Sequence, residues 1–324
     1  MSEETFTSPL ASPIKRFLEC KRAAGYDYVY REWELKDFDK FLAERLNPDD
    51  PVITESITRT YVTLTGKRVL NRLSLLRQFC RFMATEEPRT AIPPRYFLGI
   101  HQRPFVPRIL TRDEGRRFLE ACLHLAPGQG SPLRGIVHGT MLLLLYLTGM
   151  RLGEALSLRR EDVDLSSGVV RIRKGKFGKA RLVPLAQDLT ERMERCRLSV
   201  DRYFGARPPD ACFFPGPKGL RYTGNGLVRS FRIILAEAHI PYLGAGKGPR
   251  IHDLRHSYAV HRMMLWYEQG ADLGAQLPIL ATYMGHVGLS SSQYYLRLTE
   301  DVLGGIVNRY QTRFGHLIKE RRTE

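Results

Sequence analysis

The longest apolar run in the chain, 141-MLLLLYLTGM-150, constrains its fold more than any other feature. A segment that is apolar on every side of a helix is typical of a buried helix, because it leaves no polar face for water. A bilayer crossing needs about 20 apolar residues, so this run is too short to span a membrane. We therefore expect a globular protein without a membrane partner, in which this run forms a buried helix.

Helical periodicity governs most of the remaining sequence. Residues 14 to 97 have a helical pattern throughout, as in 67-KRVLNRLSLLRQFCRFM-83, where apolar residues recur at intervals of three and four. The segment 91-AIPPRYFLGIHQRPFVPRIL-110 is rich in proline and lacks this period, which indicates an extended connector. At 111-TRDEGRRFLEACL-123, a threonine fits a helix N-cap and the glutamate three residues later fits its reciprocal partner.

These signals predict two domains. We expect a helical domain over residues 1–100, a linker over residues 101–110 and a second domain over residues 111–324. The helical pattern of the second domain is interrupted at 168-GVVRIRKGKFGKARLVPL-185, where two short β-branched runs flank a turn rich in glycine and lysine. The predicted fold class is therefore mainly α with a small β-hairpin or sheet.

The charge of the chain favours a polyanionic partner. Lysine and arginine number 50 against 34 aspartates and glutamates, the net charge is +16, and most of the basic residues are arginines. The planar guanidinium group suits bidentate phosphate binding, so nucleic acid is the first partner to consider. Surface charge that serves only solubility is the simpler alternative.

The cysteines and the N-terminus indicate where the protein works. The five cysteines are scattered and form no Cys-x-x-Cys pair, which is typical of reduced thiols. No apolar stretch at the N-terminus fits a signal peptide. We expect a cytoplasmic protein.

The first polar motif is 147-LTGMRLGEALSL-158, in which Arg151 follows the buried helix. An arginine next to so apolar a segment needs an anion or a carboxylate, because a buried unpaired charge is costly. Glu154 stands three residues later and can hold its side chain. For this motif alone, a structural ion pair is the simpler interpretation.

Three further motifs carry polar residues whose roles are ambiguous when each motif is considered alone. The turn 174-KGKFGKAR-181 holds lysines of a kind that is usually solvated. In 251-IHDLRHSYAV-260, His252 and Arg255 lie three apart on one helical face, and the histidine fits a core position as well as a site. No carboxylate or second histidine stands at a convincing metal-ligand spacing on that face. The last motif, 284-MGHVGLSSSQYYLRL-298, contains a histidine and a tyrosine pair.

Taken together, these motifs resemble a known family. The order Arg…Lys…His-x-x-Arg…Gly-His…Tyr closely resembles the catalytic domain of the tyrosine recombinases, the phage integrase family. The resemblance covers about residues 110 to 300, and the N-terminal helical segment is similar in placement to the core-binding, DNA-binding domain of that family. The stretches that carry it are TGMRLGEALSL, GKFGKARLVPL, HDLRHSYA and MGHVGLSSSQYY.

The resemblance implies a role for each polar position, without a metal ion or another cofactor. Arg151 and Arg255 would hold the non-bridging oxygens of the scissile DNA phosphate, and Glu154 would support Arg151. Lys176 would protonate the departing 5′ oxygen. His252 would act as general base or hydrogen-bond partner, and His286 would bind the phosphate. Lys174 and Lys179 fit the lysine position less well.

The nucleophile implied by the resemblance is Tyr295, which follows His286 by nine residues. Its neighbour Tyr294 occupies the place of an ordinary packing residue. Neighbouring residues on a helix point about 100° apart, so only one of the two side chains can face the phosphate. A tyrosine becomes a nucleophile when nearby cations lower its pKa or a base takes its proton, and the cationic pocket meets that need.

Two further regions have more than one interpretation. Arg68 and Arg72 lie four residues apart, as do Arg77 and Arg81, so each pair shares a stripe of helix surface. Each stripe is either a solvated basic face or a DNA contact.

The C-terminal stretch 301-DVLGGIVNRYQTRF-314 has an apolar stripe that packs either on its own domain or on a neighbouring protomer of a homo-tetramer on DNA.

The sequence hypothesis is a nucleoid-associated site-specific recombinase or integrase that acts on recombination sites in double-stranded DNA through a 3′-phosphotyrosyl intermediate. One alternative is a catalytically silent DNA-binding accessory protein. The other is DNA relaxation by a type IB topoisomerase-like reaction. Every family position is filled, which favours an active enzyme over a silent one.

Overall fold

The computed structural model divides the chain into two compact units, Met1–Pro104 and Phe105–Glu324. Each unit contains its own hydrophobic core. The described residues are 6–26, 28–64, 69–94, 106–173, 180–222, 224–244 and 247–285.

The described part of the first unit consists of helices joined by short connections. They are α1 (Ala11–Ala23), α2 (Val29–Ala43), α3 (Glu55–Leu64) and α4 (Val69–Met83). The apolar residues of α4 recur at helical spacing, and Leu73, Leu76 and Phe79 are accordingly buried. Phe79 meets Phe17 of α1 edge to face, with ring centroids 5.5 Å apart. Aromatic packing of this kind closes the core of the unit.

The second unit is also mainly helical. Its first helix, α5, begins as the sequence predicts: the Thr111 hydroxyl accepts a hydrogen bond from the Glu114 backbone N, and the Glu114 carboxylate accepts one from the Thr111 backbone N. The elements that follow position the site. The helices are α5 (Arg112–Leu123), α6 (Arg134–Thr148), α7 (Leu152–Ser157), α8 (Gln187–Phe204), α9 (Gly224–Glu237), α10 (Ile251–Glu268) and α11 (Leu273–Met284).

The apolar run of the sequence lies in α6, which is the central helix of the second core. Its residues from Val137 to Tyr146 are buried on all sides, including the polar ones. The helix packs against α5, α8, α9 and α10. It ends at Gly149, whose φ of +63° turns the chain so that Arg151 stands at the start of α7.

The sheet of the second unit is small and antiparallel, with strand order β1 (Val163–Asp164), β2 (Val169–Ile172) and β3 (Arg181–Pro184). The predicted hairpin corresponds to β2 and β3, in which Val170 lies opposite Val183. Strand β1 was not predicted, because two residues are too few to show an alternating pattern. The fold class predicted from the sequence, mainly α with a small sheet, is confirmed.

In the residues that the structure describes, no helix has both the length and the apolar character that a bilayer crossing requires.

We predict that Gly149→Ala lowers the free energy of unfolding by about 1–3 kcal/mol, because a side chain disfavours the left-handed backbone conformation. A Cβ atom at this position would also lie 2.4 Å from Cδ1 of Tyr258. Chemical denaturation measures the change. The control is Gly153→Ala on α7, where a Cβ meets nothing within 4 Å. Equal effects of the two substitutions would contradict the assignment of Gly149 as a required glycine.

Candidate active site

A buried carboxylate, that of Glu154 on the first turn of α7, lies at the centre of the candidate site. Its side chain is 5% exposed. Its Oε1 atom accepts hydrogen bonds from Nη1 of Arg151 at 2.9 Å and from Nη1 of Arg181 at 3.0 Å. Its Oε2 atom accepts from the backbone N of Arg151 at 2.8 Å and from Nη2 of Arg181 at 2.7 Å. One carboxylate therefore holds two guanidinium groups.

The same contacts set the charge state of this carboxyl group. Burial raises the pKa of Glu154, but the hydrogen bonds from Arg181 and Arg151 and the positive charge of Arg181 lower it by more, to about 2. Hydrogen bonds and cations favour the ionised form of a carboxyl group. Glu154 is therefore ionised at neutral pH and pairs with both arginines.

The carboxyl end of α11 presents three consecutive backbone carbonyl groups to three different arginines. The negative end of a helix dipole favours cations at such a position. The three hydrogen bonds join Nε of Arg181 to the carbonyl of Tyr283 at 2.8 Å, Nη2 of Arg255 to that of Met284 at 2.7 Å, and Nη2 of Arg151 to that of Gly285 at 2.8 Å.

Arg255 is buried, with 3% of its surface exposed, on the second turn of α10. Besides Met284, its guanidinium donates to the carbonyl of Gly149 at 2.5 Å. Gly149 closes α6 two residues before Arg151. The structure thus brings Arg151, Glu154 and Arg255 together at the junction of α6, α7, α10 and α11.

His252 lies on the first turn of α10, one turn before Arg255, and its side chain is exposed. Its ring meets that of His256 edge to face, with centroids 5.0 Å apart. Partial desolvation lowers the pKa of His252, and the positive charges of Arg255 and Arg250 lower it further. A neutral imidazole at physiological pH is able to accept a proton or a hydrogen bond.

Several predicted site residues lie outside the described residues, and their roles stay predictions. Lys176, with its alternatives Lys174 and Lys179, precedes β3 in the sequence. His286 follows Gly285 directly, and Tyr294, Tyr295 and the C-terminal stripe come after it.

Arg181 is a member of the site that the sequence analysis did not identify. It begins β3, its side chain is 9% exposed, and it contacts Glu154 across 27 residues of sequence. The one available signal was an arginine at the head of the apolar strand 181-RLVPL-185, which needs an anionic partner if it is buried. The ion pair of Arg151 with Glu154 allowed by the sequence is present.

The basic residues of α4 in the first unit differ in their surroundings. Arg72 is largely buried and forms an ion pair with Asp37 of α2 at 2.8 Å. The guanidinium of Arg77 contacts the carbonyl of Pro93, whereas Arg81 is exposed. Arg68 lies outside the described residues. The predicted DNA contacts of these residues stay predictions.

Among the described residues, no set of three or more acidic, histidine or cysteine side chains is arranged to hold a metal ion.

Comparison with known families shows what this arrangement is similar to. A family model described as the phage integrase family matches residues 108–301. A putative integrase/recombinase of Sinorhizobium fredii, y4rE, is 35% identical over 309 residues, which are 94% of this chain and 96% of that protein. The tyrosine recombinase XerC of Halalkalibacterium halodurans is 27% identical over 303 residues, which are 90% of this chain and 93% of that protein.

A solved structure has a similar fold. The XerH site-specific recombinase, in a post-cleavage complex with its palindromic difH substrate, matches with a TM-score of 0.58 and 20% sequence identity. The match covers 86% of this chain and 78% of that chain. At this identity the similarity shows a shared fold.

The low pKa of Glu154 predicts a specific pH dependence of stability. Because the pKa is lower in the folded state, its contribution is fully present above the unfolded value, about 4.3, and is lost as the pH falls toward 2. Glu154→Gln lacks this contribution. We therefore expect the difference in unfolding free energy between wild type and Glu154→Gln to shrink by about 3 kcal/mol over that range.

Urea denaturation at a series of pH values measures this difference. Glu120→Gln, which removes an exposed carboxylate from α5, is the control and should leave the pH dependence of stability unchanged. A difference between wild type and Glu154→Gln that stays constant with pH would show that the buried carboxylate is not held ionised by its arginines.

Proposed function

The chain belongs to the phage integrase family, and from this premise we propose that it is a tyrosine-type site-specific recombinase that cuts and rejoins double-stranded DNA. The observation that carries the proposal is the convergence of Arg151 and Arg255 on the end of α11, with Glu154 holding the first of them. Such a pair of fixed cations is what phosphoryl transfer requires.

The two arginines act on the charge that develops during the reaction. Attack on a phosphodiester spreads negative charge over the equatorial oxygens, and preorganised donors that point at those oxygens lower the barrier. A guanidinium group can give two parallel hydrogen bonds to a phosphate. We assign Arg151 and Arg255 to the non-bridging oxygens of the scissile phosphate.

The covalent step uses residues beyond the described part of the chain. The phenolic oxygen of Tyr295 attacks the phosphorus, loses its proton to His252 or to water, and forms a 3′-phosphotyrosyl bond. The bond from phosphorus to the 5′ oxygen breaks, and Lys176 gives that oxygen its proton. His286 holds the phosphate during the transfer.

The second step reverses the first on a new strand. The 5′ hydroxyl of a partner strand attacks the phosphotyrosyl phosphorus, the new phosphodiester forms, and Tyr295 leaves with its proton restored. The covalent intermediate conserves the energy of the phosphodiester bond, so no nucleotide is consumed. This chemistry both opens and reseals each strand.

The partner we assign is duplex DNA that carries specific recombination sites. A structure of similar fold, that of XerH, is a complex of that recombinase with its difH substrate. The net charge of +16 and the predominance of arginine support many phosphate contacts and a steep dependence of binding on salt. We assign residues 1–100 to DNA binding, with Arg81 of α4 on the exposed side, and place the protein on the nucleoid.

Strand exchange between two duplexes needs several active sites. We therefore propose a homo-tetramer on DNA, in which the apolar stripe of residues 301–314 packs on a neighbouring protomer. The stripe has the helical spacing that such packing uses.

We predict that Tyr295→Phe abolishes covalent capture of DNA, whereas Tyr294→Phe leaves it intact. The nucleophilic oxygen is lost only in the first variant. Nicked suicide duplexes from the genomic junction of the element, incubated without metal and resolved on a denaturing gel, measure the adduct. An adduct that persists in Tyr295→Phe contradicts the assignment of the nucleophile. Tight salt-sensitive binding without an adduct in the wild type indicates a silent DNA-binding protein.

We predict a second effect at His252. His252→Gln should slow adduct formation by about 10²-fold or more, the usual contribution of a general base. A base must be neutral to act, so the wild-type rate should fall with decreasing pH only as the pH passes the lowered pKa of His252. Single-turnover rates measured across pH show this acid-side fall (the acid limb of the profile), which the glutamine variant should lack. The control, His124→Gln at the end of α5, should keep both rate and limb.

A further inference from the structure

We propose that Arg181 is a positioning residue of this reaction, which fixes the orientation of Arg151 through their shared partner Glu154. The inference rests on the proposed function and adds a residue to which the sequence motifs gave no role. Arg181 acts through other residues, because each of its three guanidinium nitrogens donates inside the protein.

The first observation is the geometry of the shared carboxylate. Arg181 bonds both oxygens of Glu154, with Nη1 on Oε1 and Nη2 on Oε2. A two-point contact of this kind fixes the plane of a carboxylate, whereas a single contact leaves it free to rotate. Arg151 then bonds the same two oxygens with its side chain and its backbone. The plane set by Arg181 therefore determines the direction of the Arg151 guanidinium.

The second observation is that both arginines join the same two elements. Arg181 links Glu154 of α7 to the carbonyl of Tyr283, and Arg151 links Glu154 to the carbonyl of Gly285. These parallel connections hold the start of α7 against the end of α11. If Arg181 is lost, Arg151 is the link that remains, among the contacts described, between Glu154 and the end of α11.

The third observation is the close approach of Arg181 to Gly285. A Cβ atom built on Gly285 would lie 2.8 Å from Nη1 of Arg181, and the φ of Gly285 is +68°. The side chain of Arg181 is 9% exposed, so it is held inside the protein and does not extend over the surface. Gly285 is followed in the sequence by His286, and Arg181 is preceded by the segment with Lys176. Arg181 thus lies against Gly285, directly after the end of α11.

The test compares Arg181→Met with a matched control. Arg160 is a second largely buried arginine of the same unit, 14% exposed, and it forms a two-point ion pair with Asp201 at 2.7 and 2.9 Å. Arg160→Met removes a comparable ion pair away from the site. We expect Arg181→Met to slow single-turnover adduct formation by about 10²-fold, the effect of a small displacement of a reacting group, and Arg160→Met to leave the rate unchanged.

A pH profile separates positioning from a loss of folding. Without Arg181, Glu154 stays buried and loses one of its two cations, so its pKa rises and the carboxyl becomes protonated at a higher pH. The rate in Arg181→Met should therefore show an extra fall on the acid side, from protonation of Glu154, besides the fall that the wild type shows at the pKa of His252. The double variant Arg181→Met with Glu154→Gln should lose this extra acid-side fall, because it has no carboxyl group to protonate. Its rate should be higher than the rate expected from multiplying the reductions caused by the two single substitutions. Arg181→Lys, which keeps the charge, should restore part of the rate.

A second measurement makes the two proposals distinguishable. Inorganic phosphate is titrated calorimetrically into wild type, Arg181→Met and Arg160→Met. A wild type that binds phosphate but never forms a DNA adduct overturns the proposed function. Phosphate affinity in Arg181→Met equal to that of the wild type, or equal rates and pH profiles in Arg181→Met and Arg160→Met, overturn the positioning role. Weakened phosphate binding in Arg181→Met alone supports it.

Discussion

The buried carboxylate of Glu154 is the interaction on which the candidate site depends. A guanidinium group removed from water without a partner is strongly destabilising, and the site places two of them, those of Arg151 and Arg181, against Glu154. One carboxylate that accepts four hydrogen bonds pairs with both guanidinium groups. The backbone carbonyls at the end of α11 supply the remaining acceptors. The cations are thereby fixed in place before any DNA arrives, which is the condition for electrostatic catalysis.

The fold places these groups at the ends of its elements. The central helix α6 is capped by Gly149, whose carbonyl accepts from Arg255, and Arg151, two residues later, is the N-cap of α7. Arg181 begins β3, and α11 ends at Met284. Helix and strand ends carry backbone groups without a partner in their own element, and here arginines satisfy them. Packing of α6 against its neighbours therefore fixes the site as well as the core.

Local features of the sequence were sufficient to predict much of this arrangement. The buried run in α6, the capping box at Thr111, the hairpin of β2 and β3 and the pairing of Arg151 with Glu154 all depend on residues close together in the chain. The contacts of Glu154 with Arg181 and of Arg255 with Met284 join separate elements, and a single sequence does not show them. Arg72 illustrates the same limit, because its helical stripe indicated an exposed face whereas Asp37 of α2 pairs with it.

The most direct measurement is a crystal structure of the protein with a duplex that is interrupted at its cleavage site and completed by vanadate, which imitates the five-coordinate phosphorus. We expect guanidinium nitrogens of both Arg151 and Arg255 at about 2.7–3.1 Å from the equatorial oxygens, the distance of a transition-state contact. Arg181 should remain on Glu154 in that complex. A vanadate held by other cations, with Arg151 and Arg255 keeping their bonds within the protein and making none to it, would contradict the assignment of these arginines as the phosphate clamp.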